Sequence, residues 1–309
     1  MKVFNLNTKS NFNQENLCIT IGNFDGIHIG HQFVINKLIE EAKKSNLQSA
    51  VMSFTPHPRE FFSQSKNVFN INTKNEKLNI LKSMGIDIYI DFDFNDELAN
   101  LSAKDFIKKI IIEKLNVEKI IIGSDFKFGK KRAGNLETLR ELSKSFKFNL
   151  VVIDILSTKE TKNKFSSSHI RNMIIEGNFI EVSQMLGRNW SLTGKIIRGD
   201  QKARKINFPT ANLKPIDKIL PKKGVYCVKA SIDSKTYKAI ANFGYRPTVN
   251  GSELLLEAHL FEFNEDIYGK ELTVEFLTFI RSEQKFDSFE ELTKQIQKDI
   301  KTAKNYHQI

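Results

Sequence analysis

Cysteine is nearly absent from this 309-residue chain: Cys18 and Cys227 lie far apart and form no CxxC pair. A disulfide framework and a zinc site are therefore not expected, and such thiol usage suits the reducing cytoplasm. Long apolar runs are absent too; none approaches the roughly 20 residues that span a bilayer, so no membrane association is expected. The opening stretch from Met1 to Gln14 is rich in Asn and Lys and lacks the apolar centre of a signal peptide. Internal repeats, low-complexity linkers and dense basic tracts are missing as well. Lys and Arg number 47 against 36 Asp and Glu, a net charge of +11. Spread along the chain, that charge reads as a solvated Lys-rich surface, and nucleic acid is not expected as a partner. A positive field does suit an enzyme that handles ATP and phosphorylated substrates.

What is present falls into two rhythms. In the first half, short apolar runs alternate with helix-like segments. Strands are predicted at Leu17–Ile21, Leu47–Phe54, Ile86–Ile90, Lys119–Ile122 and Phe148–Ile153, and helices at His31–Lys44, Glu76–Met84, Ala103–Leu115 and Leu136–Lys144. That alternation implies a parallel sheet covered on both faces, with ligands beyond the carboxyl ends of its strands. Near Gly187 the rhythm changes. Leu192–Ile197, Gly224–Ile232, Tyr237–Asn242, Leu254–Phe263 and Leu272–Phe279 read as short strands separated by turn residues, the pattern of a small antiparallel barrel or sandwich. An amphipathic helix over Phe289–Lys304 closes the chain, with Leu292, Ile296 and Ile300 on its apolar face, Ser288 as cap and Glu291 in capping-box position. Two domains are expected, 1–187 and 188–309.

The first strand runs into Gly22-Asn23-Phe24-Asp25-Gly26-Ile27-His28-Ile29-Gly30-His31, which opens a helix. Unpaired N–H groups at a helix start attract phosphate, and glycines such as Gly22 and Gly30 permit close approach. Two imidazoles flanking a glycine can both donate to one phosphate and stabilise charge that develops during in-line attack. Later, Ser166-Ser167-Ser168-His169-Ile170-Arg171 combines hydroxyls, helix-start amides and a guanidinium, a set suited to the β- and γ-phosphates of ATP. Together the two segments resemble the HIGH-type nucleotidylyltransferase superfamily, which implies a Rossmann-like α/β fold for the first domain.

Three further segments narrow the resemblance. Ser53-Phe54-Thr55-Pro56-His57-Pro58 and Gly123-Ser124-Asp125-Phe126-Lys127-Phe128-Gly129 place Phe beside Gly and Pro at strand ends. Such rings can stack on a planar isoalloxazine or can be ordinary core. Phe208-Pro209-Thr210-Ala211-Asn212 is followed, in order, by Gly224-Val225-Tyr226, by a segment from Asn242 to Thr248, and by Glu257-Ala258-His259-Leu260. Tyr268-Gly269 and Ile280-Arg281-Ser282-Glu283-Gln284-Lys285-Phe286 come next. These segments are similar to those of the bacterial bifunctional riboflavin kinase/FAD synthetase (FMN adenylyltransferase) family, over roughly residues 17 to 303.

The resemblance implies two reactions with ATP as co-substrate and Mg²⁺ as cofactor. The C-terminal module would phosphorylate riboflavin to FMN; the N-terminal module would adenylylate FMN to FAD and release pyrophosphate. Glu257 matches the family's catalytic carboxylate, which would accept the proton of the riboflavin 5′-hydroxyl. Thr210 and Asn212 would hold Mg²⁺ with ATP. His28 and His31 would act in adenylylation, with Gly22, Asn23, Asp25, Gly30, Lys164, Ser167, Ser168 and Arg171 on ATP. Phe54, Pro56, His57, Pro58, Asp125, Phe126 and Phe128 would face the flavin. Arg281 would close on flavin or phosphate or form a structural ion pair. Four positions depart from the family pattern, one of them Ser168, which stands for the commoner Thr and keeps the hydroxyl. Lys164 stands where Arg is usual, and Ala203 and Asn207 replace glycines ahead of the Pro-Thr-Ala-Asn segment. Asn tolerates φ > 0, whereas the Cβ of Ala203 would crowd a nucleotide phosphate. The alternative is thus an FAD synthetase with a weakened or inactive kinase module.

Overall fold

The structure, a computed structural model, describes residues 1–63, 68–154, 165–197, 208–214, 218–248 and 251–309. By contact density the chain forms two compact units: Met1–Asn67 with Asn72–Ser166, and Val68–Ile71 with Ser167–Ile309.

The first unit is a six-stranded parallel sheet of β1 (Lys2–Leu6), β2 (Leu17–Ile21), β3 (Gln48–Thr55), β4 (Ile88–Asp93), β5 (Val117–Gly123) and β6 (Asn149–Ile153). The strand order is β1-β4-β3-β2-β5-β6. Alternate residues feed two separate cores. Leu17, Ile19 and Ile21 of β2 point into one and Cys18 into the other; Ala50 and Met52 oppose Val51, and Ile120 and Ile122 oppose Ile121. Period-two side chains buried on both faces are what a helix-covered parallel sheet requires. One face is covered by α1 (Ile29–Lys44), through Val34, Ile35, Leu38 and Ala42, and by Leu81 of α3 (Lys74–Met84), which follows the short α2 (Pro58–Phe62). The other receives Leu98 of α4 (Asp96–Ala99) and Leu139 and Leu142 of α6 (Leu136–Phe146).

Two departures from the sequence reading belong to this unit. β1 lies in the Asn- and Lys-rich opening, which gave no strand signal; among the described residues it is an edge strand pairing only with β4, and Leu6 is its one buried residue. The expected helix over Ala103–Leu115 begins as one α turn, α5 (Ala103–Asp105), and continues as a π-helix over Phe106–Lys114, where Leu115 N–H donates to the Ile110 carbonyl. This wider winding buries Phe106, Ile107, Ile110 and Ile111 together.

The second unit opens with α7 (Ser167–Glu176) and α8 (Phe179–Leu186) and continues into a closed antiparallel barrel. Its strands are β7 (Trp190–Ile197), β8 (Ala211–Leu213), β9 (Gly224–Ile232), β10 (Lys235–Thr248), β11 (Gly251–Leu260) and β12 (Glu271–Arg281), ordered β10-β11-β8-β7-β12-β9. The chain divides at 166/167 by contacts, ahead of the change in rhythm at Gly187, because α8 packs into the barrel. Phe179 stacks on Trp190 at 5.5 Å between centroids and meets Phe276 at 4.8 Å. Asp233 and Ser234, both with φ > 0, make the tight turn between β9 and β10.

The last helix, α9 (Phe289–His307), is capped by Ser288, whose hydroxyl accepts from Glu291 N–H at 3.1 Å. The return bond lands one residue earlier than a capping box requires: the Glu291 carboxylate accepts from Asp287 N–H. Its inner stripe also differs from expectation. Leu292, Ile296 and Ile300 are only half-buried, and the deepest residues are Asp299, Ala303 and His307. Each polar member of that stripe has a partner. Arg281 makes a forked ion pair with Asp299, and His307 Nε2 donates to the Ala239 carbonyl at 3.1 Å, beside Cys227 Sγ at 3.2 Å.

Candidate functional sites

In the sheet unit the strand order does the assembling. The order reverses between β2 and β5, and the crevice beyond such a switch point is where open α/β sheets bind ligands. β3, β2 and β5 are neighbours, and each carries one sequence-predicted segment at its carboxyl end: Phe54–Pro58 from the last two residues of β3, Gly22–His31 after β2, Gly123–Gly129 from the last residue of β5.

The loop after β2 is tightly tethered. Phe24, Gly26 and Ile27 all have φ > 0, at 47°, 84° and 40°, a cost that surrounding bonds must offset. The Gly22 carbonyl accepts from Ser53 Oγ at 2.9 Å, the Asn23 carbonyl from Lys77 Nζ at 2.7 Å, and Asp25 Oδ1 from Asn72 N–H at 3.3 Å. Burial pushes the Lys77 ammonium below its ordinary value, with Asp25 and Asp91 opposing. Sequence reasoning missed Lys77 because only the fold sets α3 beside this loop. His28 caps α1: its Nδ1 accepts from His31 N–H at 3.2 Å, so the neutral ring carries its proton on Nε2. The two imidazoles stack, 3.6 Å between centroids and 19° apart in plane. A Cβ on Gly30 would sit 3.2 Å from the His28 ring and 3.4 Å from Phe165 Cβ, so glycine between the histidines makes room for that stack. The Asn23 Oδ1 is buried and has no hydrogen-bond partner among the described residues.

The flavin-side candidates separate. Phe54 is half-buried and meets Phe94 edge-on at 5.8 Å. Pro56 follows a cis bond, and His57 caps α2, its Nδ1 accepting from Arg59 N–H at 3.0 Å, with Pro58 as the first helical residue. Asp125 is exposed and Phe126 half-buried. Phe128 is core: it is 6% exposed, packs against Phe106 and lies parallel to Phe126 at 5.4 Å. It therefore backs Phe126 and presents no open face of its own. Phe61 and Phe62, which the motif reading passed over, join Phe94 in an edge-on cluster beside Phe54.

Ser167 and Ser168 open α7 in the second unit, and Arg171 follows one turn later. Arg171 is buried; its Nε donates to the Phe69 carbonyl at 2.9 Å and its guanidinium lies over the Phe69 ring. Lys164, Ala203 and Asn207 lie outside the described residues.

In the barrel, register brings the kinase candidates together. Glu257 of β11 is directly opposite Asn212 of β8 on one side and Asn242 of β10 on the other. Directly opposed residues project from the same face with Cβ atoms about 5 Å apart, so the acid stands between two amides. Thr210 and Asn212 line a cleft of about 330 Å³ whose far wall is the 263–268 loop. Glu257 does not line the cleft; it neighbours it through Asn212. Asn212 Nδ2 donates to the Thr210 carbonyl at 3.4 Å, while its buried Oδ1 has no hydrogen-bond partner among the described residues. The 263–268 wall, including Phe263 and Tyr268, was invisible as a site element because barrel closure alone sets it against β8. Arg281 realises the ion-pair reading: Nε and Nη2 reach Asp299 Oδ2 at 3.0 and 2.7 Å, and Asp299 is 5% exposed.

Comparisons with known proteins cover both units. The family described as FAD synthetase matches residues 10–169, and that described as riboflavin kinase matches residues 186–307. A bifunctional riboflavin kinase/FMN adenylyltransferase of Haemophilus influenzae is 39% identical over 289 residues, covering 93% of each chain. One of Buchnera aphidicola is 38% identical over 294 residues, covering 94% of each. Among solved structures, a Streptococcus pneumoniae protein described as a macrolide-efflux protein matches with a TM-score of 0.88 at 30% identity, over 98% of this chain and 99% of that one. Among the described residues of the present chain, no helix is long and apolar enough to cross a membrane.

Proposed function

The chain belongs to the bifunctional riboflavin kinase/FMN adenylyltransferase family, and from that premise we propose how its two activities are divided: adenylylation on residues 1–187, phosphorylation on residues 188–309. The reactions themselves are those of the family: ATP-dependent phosphorylation of riboflavin to FMN, and adenylylation of FMN to FAD with release of pyrophosphate.

For adenylylation, an FMN phosphate oxygen attacks the α-phosphorus of ATP, and pyrophosphate leaves. The Nε2–H of His28, fixed by the cap bond at Nδ1, donates to the α-phosphate, and His31 stacks behind it as second donor. Gly22, Asn23, Asp25 and Gly30 shape the loop that receives the triphosphate. Ser167, Ser168, Arg171 and Lys164 hold the departing phosphates. Phe54, Pro56, His57, Pro58, Asp125 and Phe126 form the flavin side, with Phe128 as backing.

For phosphorylation, Glu257 accepts the proton of the riboflavin 5′-hydroxyl as that oxygen attacks the γ-phosphorus of ATP. Its place in the ladder, directly opposite Asn212 on one side and Asn242 on the other, supports the role. Mg²⁺ fits this turn, since the Asn212 Oδ1, a hard oxygen, is buried without a hydrogen-bond partner among the described residues and the Thr210 hydroxyl lies two positions away. Thr210 and Asn212 would hold the ion, which when bound offsets the charge of the transferring phosphates. Both reactions are placed in the cytoplasm, where ATP is at hand; the free, buried thiols of Cys18 and Cys227 suit that reducing compartment.

The observation that carries the division is the direct pairing of Glu257 with Asn212 in the barrel, while the stacked histidines stand in the sheet unit. Chromatography of flavins formed from riboflavin and ATP tests it. His28→Ala should stop at FMN; Glu257→Ala should leave riboflavin untouched and still convert supplied FMN. Loss of the same step in both variants would overturn the division. Wild type that makes FAD from FMN but no FMN from riboflavin would select an inactive kinase module.

A further inference from the structure

One polar side chain beside the kinase candidates has no role in the reading above. His259 follows Glu257 by two residues on β11, so both project from the same face of the strand. Its Nδ1 is 2.8 Å from the Pro209 carbonyl oxygen. A carbonyl only accepts, so Nδ1 carries the proton and donates. The ring is held edge-on between Phe208 and Phe261, each at 5.6 Å between centroids. Burial pushes its pKa below the ordinary imidazole value, more than the Pro209 bond raises it, so the ring is neutral near pH 7.

We propose that His259 is a positioning residue of the kinase: its Nδ1–H fixes the Pro209–Thr210 peptide plane, and through it the orientation of Thr210 and Asn212 toward ATP and its metal. The mechanism follows from peptide planarity. The Pro209 carbonyl and the Thr210 N–H belong to one rigid unit, so anchoring the oxygen sets the plane from which Thr210 departs. No other hydrogen bond to the Pro209 carbonyl occurs among the described residues. The same strand thus carries the proposed base, Glu257, and the anchor that holds the ATP turn at the cleft next to it, so the two halves of the site keep their spacing when β11 moves as one body.

This inference rests on the assignment of Glu257, Thr210 and Asn212 to the kinase, and the test separates the two. Steady-state kinase and adenylyltransferase rates are measured on the full chain for wild type, His259→Ala, His259→Asn, His259→Gln and Glu257→Gln. Asn places an amide N–H where Nδ1 stands, three bonds from Cα; Gln places it where Nε2 stands. Expected for His259→Ala and His259→Gln is a roughly tenfold fall in kinase kcat/KM for Mg·ATP, the size of one lost hydrogen bond. KM for Mg·ATP should carry most of it, KM for riboflavin little, and FMN adenylylation none. His259→Asn should recover most of the loss. Wild-type kinase constants in His259→Ala, or equal defects in the Asn and Gln variants, would overturn the inference. If Glu257→Gln keeps full kinase activity, the underlying assignment fails instead.

Discussion

The two units solve the problem of placing reactive groups in different ways. In the parallel sheet the candidates gather where strands end: Phe54–Pro58 runs on from the last two residues of β3, Gly22–His31 follows β2, and Gly123–Gly129 runs on from the last residue of β5. In the barrel the candidate residues sit on or beside the strands themselves, with Glu257 and Asn212 opposed in register and Thr210 one residue before β8. A loop-built site depends on tethers: Gly22, Asn23 and Asp25 accept from Ser53, Lys77 and Asn72, offsetting three positive φ angles. A strand-built site depends on register, because a slip of one residue would turn Glu257 to the opposite face. The sheet site should therefore be sensitive to its tethers and the barrel site to its ladder.

The sharpest test of this contrast is catalytic. His28→Ala should lower FMN adenylylation by about 10²–10³-fold, the range for a removed transition-state donor, and leave riboflavin phosphorylation unchanged. Glu257→Ala should lower phosphorylation by about 10²–10⁴-fold, the range for a removed general base. Backbone substitutions come next. A Cβ on Gly224 would meet the Arg281 carbonyl oxygen and lie 2.7 Å from the Phe279 ring, at a φ of +152°. One on Gly129 would lie 2.7 Å from Ala103 N at a φ of +72°. Each change to Ala should cost about 3 kcal/mol. Denaturant titration read by Trp190, the one tryptophan and a barrel residue, should register Gly224→Ala directly. A midpoint equal to that of wild type would mean that the β9–β12 contact yields.

Smaller effects follow at the helices. Asp299→Ala strands the half-buried Arg281 and should cost about 3 kcal/mol at most, less where water reaches the guanidinium. Thr73→Ala and Ser288→Ala remove the caps of α3 and α9 and should each cost about 1 kcal/mol. Smallest is a pH term from His259. Its folded pKa lies below the ordinary 6.5, so the denatured chain holds more protons as pH falls through 6.5, and barrel stability declines there. In His259→Asn that acid slope, read from urea midpoints between pH 7 and 5, should flatten.

Much of the fold was legible because burial leaves a period. β2 and β9 have the bounds that apolar runs alone predict, Leu17–Ile21 and Gly224–Ile232, and the split between parallel and antiparallel rhythm is as expected. β1 was not legible, since an edge strand with one buried residue has no pattern. β8 was not either: three residues give no period, and it is a strand only because β11 and β7 pair with it on both sides. The motif residues were found by type and spacing, yet their neighbours decided their condition. Phe128 and Phe126 look alike in sequence; packing against Phe106 makes the first core. Arg281 and Asp299 lie 18 residues apart, and only the docking of α9 on the barrel joins them.

Sequence alone determined the reactive inventory: two imidazoles around a glycine, serines with an arginine at a helix start, a carboxylate following a Pro-Thr-Ala-Asn turn. These are local facts, since chemistry of this kind needs particular atoms at short spacing. Tertiary structure decided which of those atoms meet: three strand ends side by side at a switch point, Glu257 between two asparagines, His259 under the Pro209 carbonyl. Such meetings depend on strand order and register, which arise from burying both faces of a sheet and closing a barrel, and no short stretch of chain encodes either by itself.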